Sequence, residues 1–172
     1  MENNFPKSRE EEMSQISEKN SLDHPGRPPF EYNRITDNIY IGTNMCCQMH
    51  FDKDLSDKGI TADISLEAEK VDQPFGVDFY TWIPIKNHEA PTMEQVELFI
   101  STLEKLLSEK KKVYVHCKNG HGRAPTMVAA YFIYKGMSAA RAITKVKERR
   151  PSIHLDEAQK EFLERYSEKL GK

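Results

Sequence analysis

The sequence predicts a single α/β domain, a central, mostly parallel twisted sheet flanked by helices. Two observations lead there. Short runs rich in β-branched and aromatic residues alternate along the chain with stretches whose apolar residues recur at a helical period. The chain has 172 residues, 38% of them apolar, which suffices for one ordinary core but not for two comfortable ones.

Residues 1–30 are polar and charged and close on HPGRPPF. Such a stretch buries little, and it is read as a flexible polar arm leading into a proline-stiffened linker. The folded domain is expected over residues 31–172. ITDNIYIG, residues 35–42, reads as a short hairpin or two strands about the Asp37-Asn38 turn, stopped by Gly42. Asn44 is placed to cap a helix running to about Lys58 and closed by Gly59. Ile60 to Leu66 and Val77 to Ile85 are strand runs. Thr92 and Gln95 form a capping box. Val96, Phe99, Ile100, Leu103, Leu106 and Leu107 then line one face of the helix that follows. KKVYVHC is the next strand, with Val113 and Val115 suited to a buried centre. MVAAYFIY is apolar all round and belongs in the core, and Gly136 ends it. Ser138 can cap a helix to about Arg150, stopped by Pro151. Asp156 with Gln159 opens the last helix, whose apolar stripe is read as Ala158, Phe162, Leu163, Tyr166 and Leu170.

Charge narrows the choice of function. The net charge is −2, and from Glu31 onward Lys/Arg and Asp/Glu balance at 21 each. A neutral body argues against bulk attraction to nucleic acid or to a membrane surface, so any anion site must be local. No stretch approaches the ~18 apolar residues of a membrane span, and the opening residues lack the apolar core of a signal peptide. The three cysteines, Cys46, Cys47 and Cys117, are odd in number and form no CxxC pair. That argues against a disulfide framework and a structural zinc site, and for a reducing, cytoplasmic setting. Cys46 and Cys47 read as packing residues; His24, His50 and His154 show no metal-ligand spacing. A monomer without cofactor or metal is expected.

The chemistry concentrates in VYVHCKNGHGRAPTM, residues 113–127. In an open α/β sheet, ligands gather where strands deliver their carboxyl ends into loops. Gly120 and Gly122 let the backbone curl tightly. A curl of N–H groups formed by Lys118, Asn119, Gly120, His121 and Gly122, followed by a helix N-terminus, is an anion nest suited to a phosphoryl group. The same field is expected to lower the pKa of the Cys117 thiol at its centre. Arg123 closes the ring with a planar fork that can pair two phosphoryl oxygens.

HCKNGHGR matches the HCxxGxxR signature, and the chain resembles the small dual-specificity branch of the cysteine-dependent protein phosphatases. ITDNIYIG resembles that branch's entry strands, IPIKNH its IPIxDH segment, and RAPTMVAAYFIY its buried helix after the loop. The likeness runs from about Tyr32 to Leu170. It implies a dual-specificity phosphatase-like fold and a two-step, metal-independent reaction. The Cys117 thiolate takes the phosphoryl group, an acid protonates the leaving oxygen, and water hydrolyses the phosphocysteine. His116 would hydrogen-bond near the cysteine to hold the loop. The implied partner is a phosphorylated protein or peptide.

Two residues depart from the pattern. Asn87 stands at the general-acid position, where an aspartate is expected; an amide has no proton to give, and losing such assistance costs ~10²–10⁴ in rate. Glu89 and His88 are the neighbouring candidates to replace it. Ala124 stands where a serine or threonine would donate to the cysteine sulfur, and Thr126 is not assumed to reach. A slowed phosphatase is favoured over a phosphate-binding module that has left catalysis. Lys118 and His121 add positive charge to the loop, which keeps an inositol phosphate or phospholipid open as substrate, with an RNA 5′-phosphate as a further alternative. No tyrosine-recognition loop is found, so a shallow cleft is expected. KERRP, Lys147 to Pro151, reads as a solvated helix end whose cations suit the C-terminal dipole. Tyr80 and Trp82 read as core or rim.

Overall fold

The computed structural model describes residues 30–44 and 51–172. The expected arm, apart from Phe30, lies outside the described residues. So do Cys46, Cys47, His24, His50 and most of the first half of the helix expected from Asn44.

Strands β1 (Tyr32–Arg34) and β2 (Ile39–Thr43) make an antiparallel hairpin. Its turn is closed by the N–H groups of Ile35 and Thr36 donating to the Ile39 carbonyl, and by the Thr36 hydroxyl accepting from Asn38 and Ile39. Helix α1 is short, Lys53–Asp57, and its N-cap is Asp52, which accepts from the Asp54 N–H at 2.8 Å. Asn44 therefore does not cap it; the Asn44 amide instead donates to Glu67 Oε2 at 2.7 Å. Then come β3 (Ile60–Glu67), β4 (Phe79–Ile85), α2 (Met93–Ser108), β5 (Lys112–Cys117), α3 (Arg123–Tyr134), α4 (Ala139–Arg149) and α5 (Glu157–Lys169). The sheet order is β1-β2-β5-β3-β4, with β1 antiparallel and the remaining neighbours parallel. The last-synthesised strand, β5, thus sits at the centre of the sheet, and its end carries the loop.

Alternation along the strands divides the two faces. Ile39 and Ile41 of β2, Ala62, Ile64 and Leu66 of β3, and Val113, Val115 and Cys117 of β5 point into the main core with α2 to α5. Tyr40 and Tyr114 point the other way, into a smaller cluster with Phe51, Leu55 and Ile60. Helix α3 is buried from Arg123 through Ile133, as its all-round apolar sequence predicts. The loop is therefore strung between a buried central strand and a buried helix.

Two helix termini differ from the sequence reading. In α5 the buried positions are Gln159, Phe162, Leu163, Tyr166 and Ser167, whereas Ala158 and Leu170 are exposed. The helical period holds but is centred one residue later, because Gln159 is a satisfied buried amide. Its Oε1 accepts from the Asp156 N–H at 3.1 Å and its Nε2 donates to the Glu89 carbonyl at 3.1 Å. Ser138 does occupy the N-cap of α4, but its hydroxyl makes no capping bond; the Ala139 N–H donates to Ser167 of α5 at 3.3 Å.

Gly42 lies in β2 opposite His116, and a Cβ there would overlap the Tyr114 hydroxyl, Tyr32 and the Glu31 carbonyl. Neither backbone nor aromatic ring can withdraw cheaply. Gly42→Ala is expected to lower the melting temperature by about 5–10 °C, measurable by thermal denaturation; an unchanged value would show that the hairpin and β5 are not tightly seated.

Candidate active site

β5 delivers Cys117, 3% exposed, and α3 begins with Arg123, 2% exposed. Between them every loop carbonyl is held from outside. The Lys118 carbonyl accepts from the Asn44 N–H at 3.1 Å and the His121 carbonyl from the His154 N–H at 3.1 Å. The Asn119 and Gly120 carbonyls both accept from Arg150, from Nη2 at 3.2 Å and Nε at 2.9 Å. The Gly122 carbonyl accepts from the Thr126 N–H at 3.0 Å and from its hydroxyl at 2.8 Å. Every peptide bond among the described residues is trans, and a trans peptide points its C=O and the next N–H in opposite directions within one plane. The N–H groups of Asn119, Gly120, His121, Gly122 and Arg123 therefore turn to the inner side of the loop. None of them donates to an acceptor among the described residues. Gly120 takes φ +65°, and a Cβ there would overlap the Gly42 carbonyl; the loop is seated directly on β2.

Arg123 is oriented at one end only. Its Nη1 donates to the Ile85 carbonyl at 2.8 Å and to Glu69 Oε2 at 2.7 Å. Its Nε and Nη2 edge makes no bond among the described residues, leaving two parallel donors for a tetrahedral anion. Glu69 was not singled out in the sequence; its signal, a carboxylate just past the end of β3, is too common to read. Its other oxygen accepts from the Asn87 N–H at 3.0 Å. Burial draws the Glu69 carboxyl upward, but the Arg123 guanidinium and backbone donors outweigh it and hold the group below the ordinary glutamate value.

The segment carrying the acid position is fixed at three points. Besides the Asn87 N–H, His88, at φ +64°, sets Nδ1 3.2 Å from Asp156, and the Glu89 carbonyl is held by Gln159. The Glu89 carboxylate is exposed and faces Lys86 at 3.7 Å. Both candidate replacements for a general acid thus have partners of their own, Asp156 for His88 and Lys86 for Glu89. Lys118 and Asn119 have exposed side chains, and Ala124 is fully buried. The Thr126 hydroxyl, committed to the Gly122 carbonyl, does not replace the missing serine. The His121 ring packs tilted against that of His154, with ring centroids 4.9 Å apart. Burial, then the Arg150 charge, hold its pKa below the ordinary histidine value. That direction disfavours the positive charge expected of it.

Arg150 overturns another expectation. Far from being solvated with the rest of KERRP, it is fully buried, with Nη1 on Asn33 at 2.7 Å and Nη2 on Glu31 at 2.8 Å in addition to the two loop carbonyls.

His116 points to the opposite face of β5 from Cys117. Its Nε2 lies 3.3 Å from Asp63 and 3.6 Å from Asp72, and its ring stacks on Tyr114. Ser65 donates to Asp72 at 3.1 Å, and Asn44 bridges Glu67 and Asp72. Burial alone would pull the His116 pKa down; the Asp63 carboxylate, followed by Asp72, outweighs it and raises the value. Burial pushes the Asp63 carboxyl up. The polar alternation Asp63, Ser65, Glu67 in β3 is buried. Trp82 is at the rim, 41% exposed, its indole N–H on the Glu67 carbonyl.

A buried thiol at a strand end, a ring of inward N–H groups and a half-committed arginine define the cysteine-based phosphatase class. The chain belongs to the Tc-R-P family, described as "Polymorphic toxin system, DSP-PTPase phosphatase", whose model matches residues 41–137. It is 35% identical over 79 residues to the phosphatidylglycerophosphate phosphatase PTPMT2 of Arabidopsis thaliana, covering 45% of this chain and 35% of that protein. It is 34% identical over 84 residues to the human phosphatidylglycerophosphatase and protein-tyrosine phosphatase 1, covering 46% of this chain and 40% of that one. The match thus spans little more than a third of the length of these relatives. In fold it is similar to human DUSP28, with TM-score 0.72, 22% identity, and 87% of this chain and all of that chain covered. A human tyrosine phosphatase-like serine/threonine/tyrosine-interacting protein superposes with TM-score 0.70 at 21% identity, covering 82% and 98% of the two chains.

Because Glu69 ionises below its ordinary value of 4.5, its contribution to stability is present above that pH and is lost as pH falls through the lowered folded value. Glu69→Gln is therefore expected to melt below the wild type at pH 7 and to converge with it at a pH below the lowered folded value. Parallel melting curves at both pH values check this, and an equal gap at each would detach Glu69 from Arg123.

Proposed function

We propose that this chain is a metal-independent phosphomonoesterase that works through a phosphocysteine on Cys117, slowed by Asn87 and Ala124. One observation carries the reading: the loop carbonyls after Cys117 are all bonded outward, and Arg123, at the end of the same loop, keeps its Nε and Nη2 without a protein partner among the described residues. That arrangement suits a tetrahedral dianion and strengthens as charge moves onto its equatorial oxygens in the transition state.

In the first step the Cys117 thiolate forms the S–P bond as the ester P–O bond breaks. The leaving oxygen departs with the bonding pair and takes its proton from solvent, since Asn87 has none to give. In the second step water attacks phosphorus, the S–P bond breaks, the water proton passes to solvent and phosphate leaves. Without a hydroxyl at position 124 the departing thiolate lacks a donor. Phosphorylated proteins and peptides are the proposed substrates. The names of the curated relatives, which include phosphatidylglycerophosphate phosphatases, support a lipid phosphomonoester as the next candidate. A monomer in a reducing compartment such as the cytoplasm suits the free thiol of Cys117.

Asn87 and Ala124 favour a second reading, a phospho-dependent binding module. It is separated by micromolar phosphopeptide affinity without phosphate release.

Hydrolysis of an aryl phosphate is expected in the presence of a chelator and is expected to vanish in Cys117→Ser; turnover surviving that change overturns the mechanism. Asn87→Asp should speed hydrolysis of alkyl phosphates by roughly 10–100-fold and of aryl phosphates by less. Equal gains on both would mean that position 87 does not face the leaving oxygen. Ala124→Ser should raise the steady-state rate while leaving the initial burst unchanged; a slower burst would place its effect on the wrong step.

A further inference from the structure

We infer that Arg150 is a positioning residue for phosphate binding: a buried guanidinium that sets the peptide planes of the loop. The inference rests on the phosphatase reading and names how that site is held. Arg150 follows the last residue of α4 and precedes Pro151. It is 0% exposed and is among the largest fully buried side chains of the domain. A buried cation is costly unless every donor is matched. Here the matching is specific. Nε meets the Gly120 carbonyl at 2.9 Å and Nη2 the Asn119 carbonyl at 3.2 Å. Nη1 meets Asn33 Oδ1 at 2.7 Å, and Nη2 also meets Glu31 Oε1 at 2.8 Å.

The consequence follows from peptide geometry. Fixing the Asn119 carbonyl fixes the N–H of Gly120 in the opposite direction within the same plane, and fixing the Gly120 carbonyl does so for His121. Gly120, at φ +65°, belongs to the residue type least able to hold its own torsions, because both signs of φ are open to it. Without Arg150 the two peptides at the glycine could rotate and point oxygen at the phosphate. Arg150 bonds the carbonyl side of these peptides and so acts only through the amides. Glu31 and Asn33, on the hairpin side, hold the guanidinium from behind, which couples β1 to the anion ring. Lysine cannot substitute: one ammonium lacks the planar fork that reaches two carbonyls and two side chains at once.

The test uses the full chain, sodium tungstate as oxyanion probe, an aryl phosphate as substrate, and amide resonances of Gly120 and His121. Arg150→Met is expected to weaken tungstate binding by roughly 10–100-fold and to move both amide resonances. Its KM should rise, since the amides hold the ground state, and its kcat should fall, since they hold the transition state more strongly. Arg150→Lys should recover only part of the affinity. Asn33→Ala removes one support at a half-buried position and is expected to cost about two- to fivefold in tungstate affinity without loss of fold. A folded Arg150→Met with unchanged tungstate affinity and unmoved amides overturns the inference while leaving the phosphatase reading intact. Should that variant fail to fold, Asn33→Ala decides: unchanged affinity there overturns it. Wild-type protein that neither binds tungstate nor hydrolyses the aryl phosphate overturns the phosphatase reading itself, and the inference with it.

Discussion

A peptide cannot show its N–H to a ligand without turning its C=O somewhere else. That constraint governs this structure. Five consecutive carbonyls around one loop need five sets of donors outside it, and an unpaired buried carbonyl is not tolerated. The donors come from every neighbour of the loop: Asn44 after β2, Thr126 in the first turn of α3, Arg150 at the end of α4, and His154 before α5. Placing β5 at the centre of the sheet brings these elements around its end. The parallel sheet, the buried helix and the late helices are thus arranged about the orientation of a few peptide planes.

Two arginines divide the work. Arg123 is bonded through one nitrogen, to Ile85 and Glu69, and keeps an edge for the anion. Arg150 uses every nitrogen on protein acceptors and keeps nothing. On the face of β5 opposite the thiol, His116 sits among Asp63 and Asp72 in a buried polar layer, and those carboxylates raise its pKa. The layer balances charge without presenting it to the site face, since β5 points His116 and Cys117 to opposite sides.

Much of this was legible in the sequence, and the reason is locality. The loop, the strand before it and the helix after it are contiguous. The Thr92–Gln95 capping box and the stripe of α2 depend on spacings of three and four residues, and both are observed. What was hidden depends on pairs far apart in the chain. Glu69 meets Arg123 across 54 residues, and Arg150 meets Glu31 across 119. KERRP offers three cations at a helix end, and nothing in their order marks the last as core. In α5 a polar residue, Gln159, begins the buried stripe, so a reading by hydrophobicity alone starts it one position early. Asn44 suits a cap by type, yet its amide is spent on Glu67 and Asp72.

The brace also sets where the working unit ends. The stretch shared with the family, residues 41–137, contains Cys117, Arg123 and the whole loop between them. It contains neither Arg150 nor His154, nor the hairpin residues Glu31 and Asn33 that hold Arg150. A fragment trimmed to that stretch would keep the signature and lose three of its outward carbonyl anchors, so the recognisable motif and the mechanically complete one are different lengths of chain.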